Sequence, residues 1–197
     1  GELPVPEAIA ILRDVAKALD SAHAKGVVHR DIKPDNVLLS GDSAVVTDFG
    51  VAKAIASATS AGDQHDALTV RGVALGTPMY MAPEQAAADP RTDHRADIYA
   101  LGTMAYEMLV GRPPFAGRYP QQLAAAHATE APAPVTKLRP AVPAALATLI
   151  MRCLEKSPAD RPQTAREILR ELDAVATPGA GTVPHTARPW YRRPPPL

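Results

Sequence analysis

The chain has 197 residues, of which 46% are hydrophobic, and its 21 basic side chains balance 21 acidic ones. This balance gives no electrostatic reason to bind nucleic acid or an anionic membrane, and one cysteine with six scattered histidines supplies neither a disulfide framework nor a metal-ligand spacing. No apolar run approaches the roughly 20 residues that span a bilayer and no secretory signal opens the chain, which fits a cytoplasmic setting, with any membrane anchor of a parent protein lying outside these residues.

The length suffices for one domain with a sizeable core. Aromatic residues are only 4%, so alanine and valine must supply much of that core, and stability is expected to be modest. From Pro6 to Lys25, Ile9, Leu12, Val15, Ala16, Leu19 and Ala22 recur at helical spacing, with Gly26 as the C-cap. Val37-Leu38-Leu39 and Ala44-Val45-Val46-Thr47 read as two strands joined by the turn Ser40-Gly41-Asp42-Ser43, which brings Asn36 and Asp48 to adjacent strand ends. Residues 51–75, rich in Ala, Ser, Thr, Gly and Asp, read as a mobile loop.

Residues 94–110 form a helix that is apolar nearly all round and therefore central, and Gly111 with Pro113-Pro114 stops it. Further helices are expected at about 120–129, 143–155 and 163–176. The class is mainly α (α+β) with one short β-hairpin, and the domain occupies residues 1–176. Residues 177–197 hold six prolines in 21 positions and a basic end around Trp190, which reads as a disordered linker or tail.

The chemistry is concentrated in His29-Arg30-Asp31-Ile32-Lys33-Pro34-Asp35-Asn36, followed twelve positions after Asn36 by Asp48-Phe49-Gly50. Gly76-Thr77-Pro78-Met79-Tyr80-Met81-Ala82-Pro83-Glu84, Asp97 and Arg161 follow in order. Together these resemble the large C-terminal lobe of a eukaryotic-like serine/threonine protein kinase, and the Met-Ala-Pro-Glu-Gln ending resembles the bacterial branch. The resemblance implies ATP and Mg2+ as cofactors and serine or threonine of protein substrates as acceptors.

Transfer of a phosphoryl group asks the protein to align a hydroxyl and neutralise phosphate charge. Asp31 is the carboxylate that can orient the hydroxyl and take its proton, while Lys33 brings positive charge to the phosphate. Asn36 and Asp48 offer the hard oxygens that magnesium prefers. Taken singly, Asp31 is far more readily a loop cap, and Asn36, Asp48 and Thr77 can be read as ordinary turn residues; the combination argues for the catalytic roles. By resemblance, Thr77 partners Asp31 and Lys33, Leu38 forms the floor beneath adenine, and the Asp35 backbone lies near the ribose. His29 and Phe49 resemble members of an apolar column between lobes, Asp97 an anchor of the His-Arg-Asp backbone, and Glu84 with Arg161 a buried ion pair.

Arg30 beside the base suggests control by an anion, and Thr69, seven residues before Gly76, is the candidate phosphosite, with a homodimer serving autophosphorylation. The glycine-rich loop, strand lysine and helix glutamate of a small N-terminal lobe are not found in these residues. The chain alone is therefore expected to be inactive, to need the small lobe as partner, and to expose an apolar surface near Leu38 and Phe49. A pseudokinase or docking module is the alternative reading, which intact Asp31, Lys33, Asn36 and Asp48 oppose.

Overall fold

The structure, a computed structural model, describes residues 1–41, 43–49 and 78–176. The expected loop over 51–75 with Thr69, the residue Thr77 and the tail 177–197 lie outside the described residues.

Helix α1 (Val5–His23) buries Ala8, Ile11, Leu12, Val15, Ala16 and Leu19 on one stripe. Its end is defined by Gly26 at φ 71°, whose amide donates to the His23 carbonyl at 2.9 Å while Val27 N–H donates to the Ala22 carbonyl at 3.0 Å. This pair of bonds is the Schellman arrangement, which needs a left-handed residue where glycine stands. The helix begins one residue before the expected Pro6, because Val5 follows the extended Pro4 and proline is accommodated in a first turn.

A single 3-10 turn (Pro34–Asn36) leads into an antiparallel hairpin of β1 (Val37–Ser40) and β2 (Ser43–Val46), with Val37 opposite Val46 and Leu38 opposite Val45. Strand alternation sends Val37, Ala44 and Val46 into the core. Leu38 and Val45 share the other face and are each 50% exposed. Asp14 of α1 accepts from the Ala44 amide at 3.0 Å and so ties the hairpin to the helix. The turn is shorter than expected, since Ser40 and Ser43 pair as strand residues.

The centre is α3 (Arg95–Val110), in which every residue except Arg95, Glu107 and Val110 is buried. Gly111, at φ 81°, closes it with a bond to the Glu107 carbonyl. Around α3 stand α2 (Pro83–Ala86), α4 (Pro120–Thr129), α5 (Val135–Leu138), α6 (Ala144–Cys153) and α7 (Ala165–Ala176). Helix α6 approaches α3 at Gly102, where a Cβ would fall 2.6 Å from Cys153 Cβ. Helix α7 covers α1 and α6 with Ile168 and Leu172. Tyr99, Ile11, Leu19, Leu101, Met104 and Leu146 are fully buried, each worth about 1.5–3 kcal/mol of transfer free energy for the aliphatic members. The two four-residue helices were not among the expected elements, and α6 and α7 are shorter than the ranges read from sequence.

Candidate active site

The segment between α1 and the hairpin is held by a carboxylate from the core. Asp97, in the first turn of α3, has no exposed surface. Its Oδ2 accepts from the His29 backbone amide at 2.8 Å and its Oδ1 from the Arg30 amide at 2.7 Å. These bonds hold Arg30 at φ 70°, a left-handed conformation that a non-glycine residue keeps when its surroundings impose it. From the other side, Gln85 of α2 donates Nε2–H to the Arg30 carbonyl at 3.0 Å.

His29 is 1% exposed and joins two loops. Its Nδ1 accepts from the Asp31 amide at 3.3 Å and its Nε2 stands 2.8 Å from the Thr47 carbonyl. A carbonyl only accepts, so Nε2 carries the hydrogen. The ring also meets Phe49 edge to face, centroids 4.6 Å apart.

Asp31 is pinned from two directions. Lys33 Nζ lies 2.7 Å from its Oδ2, and Asn36 donates Nδ2–H to the Asp31 carbonyl at 2.7 Å and to Oδ2 at 3.2 Å. With its nitrogen so engaged, Asn36 has its amide oxygen available for a cation. The Asn36 carbonyl accepts from the Thr47 amide at 2.9 Å, so Asp48 follows directly on the strand end beside Asn36. Asp48 is exposed and sits at φ 63°, a second left-handed residue at the same edge. An amide oxygen from the buried Asn36 and a carboxylate from the exposed Asp48 are the hard donors that suit magnesium, which keeps several waters and takes further oxygens from phosphates. Asp35 and Leu38 are both exposed.

The segment before α2 is fixed by Tyr80, whose hydroxyl donates to Glu107 Oε2 at 2.5 Å. Burial pushes the Glu107 carboxyl above its usual range, and the Tyr80 bond opposes that shift. Burial, followed by the bond to Glu107, pushes the Tyr80 phenol far up. In the first turn of α2, Glu84 forms a two-pronged pair with Arg161, Nη1 to Oε1 at 2.6 Å and Nη2 to Oε2 at 2.8 Å, with side chains 10% and 0% exposed.

The structure thus brings together His29, Arg30, Asp31, Lys33, Asn36, Asp48, Phe49 and Asp97, and it pairs Glu84 with Arg161. His23 and Glu107 were not picked out by the sequence reading, and Tyr80 and Gln85 entered it only within quoted motifs, with no role of their own. His23 had one available signal, its place in the last turn before Gly26, six positions ahead of His29. Tyr80 and Glu107 carry no local signal, because they are 27 positions apart; Gln85 caps α2 locally by accepting from the Ala82 amide, but its bond to the Arg30 carbonyl spans 55 positions.

A lobe of helices around one apolar helix, with a carboxylate, lysine and asparagine grouped at its loop and an aspartate one hairpin away, is the site class of protein phosphoryl transfer. The protein kinase domain family matches residues 1–172, and the chain belongs to it. It is 39% identical over 176 residues to serine/threonine-protein kinase PknB of Mycobacterium leprae, covering 89% of this chain and 27% of that protein. It is 37% identical over 201 residues to serine/threonine-protein kinase pkn2 of Myxococcus xanthus, covering 96% and 24%. A probable serine/threonine-protein kinase of Clostridium perfringens is 41% identical over 176 residues, covering 89% and 24%. The chain therefore spans about a quarter of the length of these relatives.

Proposed function

We propose that this chain is the catalytic large lobe of an ATP- and Mg2+-dependent kinase that phosphorylates serine or threonine of protein substrates. The observation that carries the reading is the grouping of Lys33 and Asn36 on Asp31, with Asp97 and His29 holding the backbone beneath it. Asp31 orients the acceptor hydroxyl and takes its proton, Lys33 faces the transferring phosphate, and Asn36 Oδ1 and Asp48 hold magnesium, which neutralises phosphate charge when bound. Leu38 lies beneath adenine and the Asp35 backbone beside the ribose. Half-exposure of Leu38 and Val45 supports a partner surface there, filled by nucleotide and a small lobe.

Arg30 and Thr69 provide regulation, with phosphate on Thr69 balancing the Arg30 cation, and Thr77 serves as the hydrogen-bond partner of Asp31 and Lys33 that the family resemblance implies. Two copies meet for autophosphorylation. Residues 177–197 act as a linker. No helix among the described residues is long and apolar enough to cross a membrane.

The test is phosphate transfer from labelled ATP to a generic basic protein with magnesium. This chain, a version extended by a small lobe, and Asp31→Asn in each are compared. Transfer to serine or threonine by the extended wild type only is the expected result. Silence of the extended wild type overturns the reading and leaves a docking module, and turnover by the 197-residue chain alone overturns the need for the small lobe.

A further inference from the structure

Lys156, in the connection between α6 and α7, carries its amine to a pair of aromatic rings instead of a carboxylate. Its Nζ lies 5.7 Å from the centroid of the Tyr99 ring on α3 and 5.1 Å from that of Phe115, in the turn ahead of α4. The amine donates one long hydrogen bond, 3.4 Å to the Tyr99 hydroxyl oxygen, and forms no ion pair among the described residues. Since the phenol oxygen accepts from Lys156, its own hydrogen is free to go to His127 Nδ1, 2.7 Å away. Phe115 stands at φ 60°, a left-handed conformation that a bulky residue keeps only when its surroundings impose it, so the ring beneath the amine is held in place.

Both rings already have a cation against them. Arg118 lies 5.4 Å from the Phe115 centroid and Arg161 4.9 Å from the Tyr99 centroid. Each of these guanidiniums has its own carboxylate: Glu130 holds Arg118 at 2.6 and 2.7 Å, and Glu84 holds Arg161 at 2.6 and 2.8 Å. A ring face attracts a cation, but a third positive charge beside these two is repelled and has no carboxylate to balance it. Of the three, only the amine can shed its charge, because a guanidinium stays protonated. Burial, and then the Arg161 cation, lower the Lys156 amine to about 8, against the opposing pull of Glu155 and Glu130. Lys17 and Lys33, by contrast, are paired with Asp14 and Asp31.

We propose that Lys156 is a covalent modification site, the amine of this chain that reacts with small acyl donors of the acyl phosphate or acyl thioester class. The neutral amine attacks the donor's carbonyl carbon and a C–N bond forms. The C–O or C–S bond breaks, its electron pair leaves on phosphate or thiolate, and the surplus N–H proton goes to water. The product is an uncharged amide, which ends the repulsion on Arg161 and removes one cation from each ring. Lys156 is partly buried, which restricts the donor to a short acyl group. The site stands apart from the phosphoryl-transfer centre, and nothing in it depends on the kinase reading.

The magnitude follows from two opposing effects. At about pH 7.5 an amine of pKa about 8 is about a quarter neutral and an ordinary lysine about 0.1%, an advantage of roughly 200-fold in the reactive form. A less basic amine is also a weaker nucleophile. A Brønsted slope of about 0.4–0.5, as measured for thiols, leaves a net advantage of about 10- to 20-fold.

The test incubates the 197-residue chain at about pH 7.5 with acetyl phosphate in one arm and acetyl coenzyme A in the other. Acetylation of each lysine is followed in time by mass spectrometry of its peptides, with the exposed Lys25 and Lys137 as references. Lys156 is expected to be acetylated about 10-fold faster than either reference in at least one arm, and the faster arm identifies the class of donor. In concentrated urea the preference should vanish, because it comes from the folded cluster. Between pH 7 and 9 an amine of ordinary pKa gains about 100-fold in neutral form and one near 8 about 10-fold, so the Lys156 rate should rise by about 10-fold only.

A Lys156 rate no greater than those of Lys25 and Lys137 in both arms overturns the proposal. So does a preference that survives urea, which belongs to the local sequence and not to the fold. A rise of about 100-fold at Lys156 between pH 7 and 9 also overturns it, since that is the behaviour of an amine that is merely exposed.

Discussion

The pair between Glu84 and Arg161 allows a stability prediction to be worked from geometry. Arg161 has five N–H bonds and all five are used: two on Glu84, and one each on the carbonyls of Glu155 at 2.8 Å, Arg95 at 2.9 Å and Lys156 at 3.0 Å. Its guanidinium also lies 4.9 Å from the centroid of the Tyr99 ring. Replacing Glu84 by alanine leaves this cation in the interior with three neutral acceptors. Removing one member of a buried pair costs about 3–5 kcal/mol, because the remaining charge is desolvated and uncompensated. For a domain of this size each kcal/mol shifts the melting temperature by about 2–4 °C, so Glu84→Ala should melt roughly 6–20 °C below the parent. Glu84→Gln, which restores one acceptor but no charge, should fall between the two. Arg161→Met should be at least as damaging, since it strands three carbonyls together with the carboxylate. The assay is thermal unfolding of the 197-residue chain followed by circular dichroism at fixed concentration. A Glu84→Ala melting temperature within about 2 °C of the parent would refute the reasoning, because that is the behaviour of an exposed pair.

Three further outcomes are expected. Gly102→Ala should cost about 1–3 kcal/mol in urea unfolding through overpacking, and Cys153→Ala should not rescue it, because the clash is with Cβ of Cys153; rescue would contradict the contact. His127 has its pKa lowered to about 4, by burial and then by the Lys156 cation, so the unfolded chain binds its proton more tightly; stability must fall as pH drops from 6.5 to about 4, by about 3 kcal/mol in all. His127→Leu should flatten that limb of the stability–pH curve, and an unchanged slope would show the ring to be solvated. In Tyr80→Phe the raised Glu107 carboxyl loses the bond that opposes its shift. The native state then holds that proton over a wider range, so the deficit against wild type should grow once pH passes the raised value of the wild-type Glu107 carboxyl, to about 1–3 kcal/mol; a deficit independent of pH would argue against it.

Much of the lobe was legible because its signals are local. Helix α1 shows its apolar stripe and its Gly26 stop within 22 residues, and α3 shows its central position through an apolar circumference and Gly111. Apart from Thr77, the groups assigned to catalysis lie within one run of eight residues and one hairpin, so short connections keep them near one another. Asp97 and the Glu84–Arg161 pair were reached through resemblance, since nothing in their own neighbourhoods names a partner. What was not legible is the set of side chains that meet across the fold. Gln85 reaches a carbonyl 55 positions away and His23 a carboxylate 74 positions away, and neither periodicity nor a cap marks such a meeting. Helices α2 and α5 are four residues long, too short for a periodic pattern to register.

Helix α3 carries an anchor near each end, Asp97 under the loop that bears Asp31 and Glu107 under Tyr80. The ten intervening steps amount to about 15 Å along the axis at 1.5 Å each. The two chain segments on either side of the site are thus both measured off one stiff ruler. Their spacing is independent of how long or how well ordered the intervening chain is. Substitutions along the ruler leave its graduations in place, whereas one residue inserted between the two anchors would advance the second by about 1.5 Å and turn it by about 100°. The helix should therefore be far less tolerant of a change in length than of a change in composition.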